Sequence, residues 1–140
     1  MTFMWKLWTK PLLFRFVTLV YLFTLGFLCF YQGDFLPDAP KYFLNIPADK
    51  VVHFCMFLPF VLLSFLSMGK KPAKTSELVC SLTILASLGC IVAGLTEIIQ
   101  GMMPKRVEDI NDFYADIAGI LLCTILVFIL DRTRKESRKK

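Results

Sequence analysis

The residues able to do chemistry in this chain fall in three short groups: Asp49, Lys50 and His53; Glu97 and Gln100; and Arg106, Asp109, Asp112 and Asp116. Lys50 and Arg106 suit a phosphate or a carboxylate, and the acids suit an amine. His53, partnered by Glu97, Asp112 or Asp116, has the makings of a general base or a metal ligand. There is a single histidine, with no HExxH or paired-His spacing and no serine in a nucleophile setting. No catalytic motif is complete, so the nine residues are read as a ligand-binding set, with neither metal nor other cofactor expected. If the protein is an enzyme, His53, Glu97, Asp112 and Asp116 are the catalytic candidates. The plainer alternative is structural: an ion pair of Glu97 with Arg106 or Lys50 that locks two helices.

Helical spacing gathers these groups. Asp49 and His53 are an i, i+4 pair, and Glu97 and Gln100 an i, i+3 pair. At about 100° per residue, Asp109, Asp112, Asp116 and Gly119 lie within roughly 80° on one helix face. Three helices can therefore aim polar groups at one shared volume.

The elements that must position them are apolar. The chain is 56% hydrophobic with 14 Phe, and its mean hydropathy is +0.63, more than a soluble core of this size could hide. An all-α membrane fold follows: one domain over 1–140, a four-transmembrane-helix bundle with spans at about 12–31, 51–68, 78–102 and 110–130, then a basic tail at 131–140. The uninterrupted apolar run Ile117 to Leu130 covers 14 residues, roughly 21 Å of helix. That is too short for a bilayer core of about 30 Å, so the fourth helix must start earlier and carry Asp116, and Asp112 with it, to the edge of the hydrocarbon. Charge there is costly, which makes a functional role the default hypothesis. Pro59 should kink the second span by removing a backbone donor. Gly89, Gly94, Gly101 and Gly119 would form a seam bringing Glu97 beside the Asp112 and Asp116 stripe.

Twelve of the sixteen basic residues fall at the N-terminus, between spans two and three, or after span four, and eight of the eleven acids fall on the other side. The positive-inside rule then places both termini in the cytoplasm and the polar cluster outside. The first span is expected to be retained, since no A-x-A-like site follows it and Leu28 before Cys29 fits a lipoprotein cleavage box poorly. Trp5, Trp8, Tyr31 and Tyr114 suit the membrane interface. Cys29, Cys55, Cys80, Cys90 and Cys123 are odd in number, form no CxxC pair and lie in apolar stretches, which points to packing. The basic tail reads as a topology signal and a lipid contact, with no nucleic-acid partner.

Three segments carry a resemblance: DKVVHF (Asp49 to Phe54), TEIIQ (Thr96 to Gln100) and RVEDINDFYADIAG (Arg106 to Gly119). Their order and spacing resemble the signature blocks of the VanZ-like family, small bacterial membrane proteins named for a teicoplanin-resistance factor. The family pattern runs D-K-x-x-H-F, then E-x-x-Q, then R-x-x-D-x-x-D-x-x-x-N-x-x-G. Asp116 stands where many members have Asn, so an extra acid must be protonated, or paired with Arg106, Lys50 or a bound cation. The resemblance implies a multi-pass protein of the bacterial cytoplasmic membrane and a role in teicoplanin or related antibiotic resistance. Its ligand would be an amphiphilic envelope component, such as a lipid-linked precursor, or a glycopeptide, beside the membrane lipid. The alternatives are a hydrolase of a lipid or lipid-linked phosphate, and a structural scaffold.

Overall fold

The computed structural model describes residues 10–30, 42–43, 45–69, 72–104 and 109–137. Helix α1 covers Pro11–Phe30. Strands β1 (Tyr42–Phe43) and β2 (Ile46–Pro47) precede helices α2 (Ala48–Phe57) and α3 (Phe60–Ser67), and helices α4 (Thr75–Gly101) and α5 (Ile110–Ser137) follow. Among the described residues, Pro11–Phe30, Ala48–Ser67, Thr75–Gly101 and Ile110–Lys135 are each long and apolar enough to cross a membrane. The last of these takes in Asp112 and Asp116, as the shortness of the apolar run requires.

Pro59 breaks the second span, as its missing N–H predicts. Leu58 N–H still reaches Phe54 O at 3.0 Å, and the ladder resumes with Leu63 N–H on Pro59 O at 3.0 Å. Beside the break, the Tyr21 hydroxyl donates to Met56 O at 2.7 Å, supplying a donor where proline interrupts the helix. Further along, Thr18 Oγ1 lies 3.2 Å from Leu63 O and Arg15 Nε donates to Ser67 O at 3.2 Å. The first span therefore runs antiparallel to the second.

Gly69 ends the second span with φ of 64°, a left-handed turn that glycine adopts at little cost. A Cβ at that position would stand 2.7 Å from Pro11 Cβ. Helix α4 starts where the Glu77 carboxylate reaches back to the backbone N–H groups of Ala73 at 2.9 Å and Lys74 at 3.4 Å. Arg132 Nη1 donates to Thr75 Oγ1 at 3.0 Å. The start of α1, the end of α3, the start of α4 and the end of α5 thus share one end of the bundle. At the opposite end, Gln100 Nε2 donates to Cys29 O at 2.8 Å.

Phe57, Phe60, Val61, Phe65, Leu78, Leu82, Ile120, Cys123 and Val127 fill the core. Leu12, Phe16, Leu19 and Phe23 on α1 and Ile84, Ile91 and Ile98 on α4 point outward, as lipid-facing side chains do. Gly89 sits in the core, where a Cβ would meet Ile120 and Phe60 side chains at 3.1 Å; Gly94 is only in ordinary contact with Phe113. Gly101 is exposed at the end of α4.

Two elements depart from the sequence expectation. Residues 131–137, expected as the start of a basic tail, continue α5, where the buried Asp131 carboxylate meets Arg134 Nη2 at 2.7 Å and Lys135 Nζ at 2.9 Å, at i+3 and i+4 spacing. The segment ahead of α2 carries a short antiparallel pair, Tyr42 opposite Pro47 and Phe43 opposite Ile46, turning at Asn45 with φ of 65°. Asn tolerates that region better than most residues. Trp5, Trp8 and Tyr31 lie outside the described residues.

Candidate functional site

Helices α2 and α5 lie side by side and run in the same direction, so that successive residues form rungs. Lys50 meets Asp112, His53 meets Asp116 one turn deeper, and Gly119 meets the backbone of Phe54 deeper still. Lys50 and His53 are three residues apart and Asp112 and Asp116 four, each about one helical turn, so the two polar rungs fall one turn apart on both helices. Glycine is required at the third rung: a Cβ on residue 119 would sit 2.6 Å from Phe54 O and 3.1 Å from Leu58 N.

The outer rung is a salt-bridge cluster. Lys50 Nζ contacts Asp112 Oδ1 at 2.6 Å, Asp49 Oδ2 at 3.0 Å, and Asp109 Oδ2. Asp109 stands just ahead of α5 and caps it, accepting from the Asn111 backbone N–H at 2.9 Å and from the Asn111 side chain at 2.8 Å. The Lys50 ammonium first, and these two donors after it, hold the Asp109 carboxyl down at about 2.

The inner rung is buried. His53, Glu97 and Asp116 are 5%, 5% and 0% exposed. His53 Nδ1 is 3.1 Å from Asp116 Oδ1 and 3.6 Å from Glu97 Oε1, while Nε2 is 3.8 Å from Asp112 Oδ2. Asp112 thus stands between Lys50 and His53 and joins the two layers. Glu97 Oε1 and Asp116 Oδ2 are buried with no hydrogen-bond partner among the described residues. One donor atom from each of His53, Glu97 and Asp116 lies within 4.8 Å of the others.

Several expectations need adjustment. Glu97 faces His53, and Lys50, the expected alternative partner, is engaged by Asp49, Asp109 and Asp112. Asp116 pairs with His53, one of the partners named for that imidazole, and not with Lys50. Asp49 does not reach His53, because its side chain stays 55% exposed at the rim beside Lys50. Gln100, a ligand-binding candidate, is buried and its amide ties α4 to the end of α1 by donating to Cys29 O. Arg106 lies outside the described residues. Asp131, which sequence reasoning passed over, makes a third buried carboxylate, at the other end of the bundle. The basic residues at i+3 and i+4 were its only signal.

Beside the cluster, a groove of about 360 Å³ opens between α1 and α2, lined by Tyr21, Leu25, Leu28, Val52, Met56 and Pro59 among others. Helix α2 therefore presents Lys50 and His53 to the polar cluster and Val52 and Met56 to an apolar groove. Among the cysteines, Cys29 and Cys123 are buried and Cys55 and Cys80 exposed.

A family model described as VanZ/LLP1 matches residues 3–131 of the 140-residue chain. No curated protein and no solved structure matches it.

Proposed function

This chain belongs to the VanZ/LLP1 family, and from that premise we propose that it binds the polar headgroup of an amphiphilic envelope molecule at the end of its bundle. Both termini are cytoplasmic on this reading, and the Lys50 and His53 cluster faces the outside of the bacterial cytoplasmic membrane. Its ligand is a lipid-linked envelope precursor or a glycopeptide such as teicoplanin, and the consequence is reduced sensitivity to the antibiotic. One observation carries the proposal: Lys50, His53, Glu97, Asp112 and Asp116 converge from three helices at one end of an otherwise apolar bundle. Charged groups at a membrane edge are expensive and are kept where they serve a ligand or a pathway. The groove between α1 and α2 offers an apolar seat for a tail one helix face away from the cluster.

The test is binding of teicoplanin to the full chain in lipid nanodiscs. Saturable binding by the wild type that weakens more than about tenfold in Asp112→Asn, a loss of more than about 1.4 kcal/mol, supports the proposal. Absent or equal binding in the two proteins contradicts it. A hydrolase of a lipid-linked phosphate is the second reading, favoured by the contact of His53 Nδ1 with Asp116, which orients an imidazole for acid–base work. Phosphate release from such a lipid by the wild type, and none by His53→Gln, would select it over simple binding.

A further inference from the structure

We propose that His53, Glu97 and Asp116 form a site for one divalent transition-metal cation of the zinc type, buried beneath the Lys50 cluster. The spacing fits. Two donors each about 2.1 Å from a tetrahedral zinc stand about 3.4 Å apart, and His53 Nδ1 is 3.1 Å from Asp116 Oδ1 and 3.6 Å from Glu97 Oε1. All three residues are more than nine-tenths buried.

A second observation comes from the same two carboxylates, and at Glu97 from the same oxygen. Glu97 Oε1 and Asp116 Oδ2 are buried oxygens without a hydrogen-bond partner among the described residues, and a buried carboxylate left in that state is costly. Lys50 is spent on the outer acids. A divalent cation would offset the two inner carboxylates while leaving the imidazole neutral. An imidazole with two carboxylates is a nitrogen and oxygen donor set that suits zinc and its first-row neighbours better than calcium or magnesium.

The surroundings match a metal-bound histidine. With Nδ1 on the cation, Nε2–H is free to be donated, and Asp112 Oδ2 lies 3.8 Å away on that side while its other oxygen is fixed by Lys50. A carboxylate behind a ligating histidine orients the ring and raises its basicity. Asp112 is then a positioning residue and Lys50 fixes its direction. Three protein donors leave a fourth position open, as in catalytic zinc sites. On the headgroup-binding reading above, that position would take a phosphate or carboxylate oxygen of the ligand. The cation site itself does not require that reading, and its test contains no envelope molecule.

The experiment uses the full chain in nanodiscs, stripped with a chelator, dialysed against zinc and counted by elemental analysis. Cobalt(II) is titrated in parallel, because its visible spectrum separates an imidazole and carboxylate donor set from the thiolates of the exposed Cys55 and Cys80. The expected result is one zinc per wild-type chain, a cobalt spectrum without thiolate charge transfer, and affinity lowered more than about tenfold in Glu97→Gln and Asp116→Asn. Zinc should also raise the thermal midpoint of the wild type above that in chelator, a readout that holds even if a variant fails to fold. Less than about a tenth of a zinc per wild-type chain, a thiolate spectrum, or full occupancy in a folded Asp116→Asn overturns the site. Failure here with teicoplanin binding intact would leave the headgroup reading standing, and the reverse outcome would leave the cation alone.

Discussion

Gly119 approaches Phe54 so closely that a Cβ at residue 119 would lie 2.6 Å from the Phe54 carbonyl oxygen. Phe54 follows His53 in sequence, and Gly119 lies three residues after Asp116, so this backbone approach sets the 3.1 Å contact between His53 and Asp116. The obstacle is main chain and cannot rotate away. Gly119→Ala is therefore expected to destabilise the bundle by about 1–3 kcal/mol, the usual cost of overpacking. Thermal unfolding in detergent measures it. A variant as stable as the wild type would show that α2 and α5 are free to part.

Lys50 holds three carboxylates, and Lys50→Met leaves them facing one another. A loss of stability at neutral pH of about 1.5–3 kcal/mol, the range for hydrogen bonds to charged groups, is expected and is read as a lowered thermal midpoint. Asp109 gives the pH dependence its sign. Its pKa is depressed to about 2 in the folded protein, against about 3.9 unfolded. Its share of the stability is complete above the unfolded value and is lost as the pH falls through about 2. The gap between wild type and Lys50→Met should thus narrow from pH 4 to about pH 2. A gap that is constant across that window would mean that the Asp109 pair contributes nothing.

Orientation is open to a direct check at two exposed positions, Asn111 near the cluster and Ala73 at the opposite end. In a cysteine-free background, Asn111→Cys is expected to react with a membrane-impermeant maleimide on intact cells, and Ala73→Cys only after permeabilisation. The opposite labelling pattern would turn the molecule over and place the cluster in the cytoplasm.

Much of the bundle is legible in the sequence because span length and proline chemistry act locally. The apolar runs mark the helices, the shortness of Ile117 to Leu130 requires the helix start that takes in Asp112 and Asp116, and Pro59 marks the break in the second span. Helical periodicity also places Asp112, Asp116 and Gly119 on the face that meets α2. What periodicity lacks is the register between helices. The lateral offset that gives His53 to Asp116, and Lys50 to Asp112, depends on how closely two backbones approach at Gly119, and no single segment encodes it. Gln100 illustrates the same limit: its spacing from Glu97 is right for a shared face, yet its amide donates to Cys29 O of the first span. Asp131 reads as part of a solvated basic tail until α5 is seen to continue beyond the apolar run, where Arg134 and Lys135 can fold back onto it.

The most direct test of the polar cluster as a functional site is teicoplanin susceptibility of a sensitive Gram-positive host expressing the wild type or Glu97→Gln, with membrane abundance measured in the same cultures. Protection by the wild type and none by Glu97→Gln at equal abundance is the expected result, because Glu97 presents a buried, unpartnered oxygen beside His53. Equal protection by both proteins, or none by either when both are present in the membrane, would contradict it.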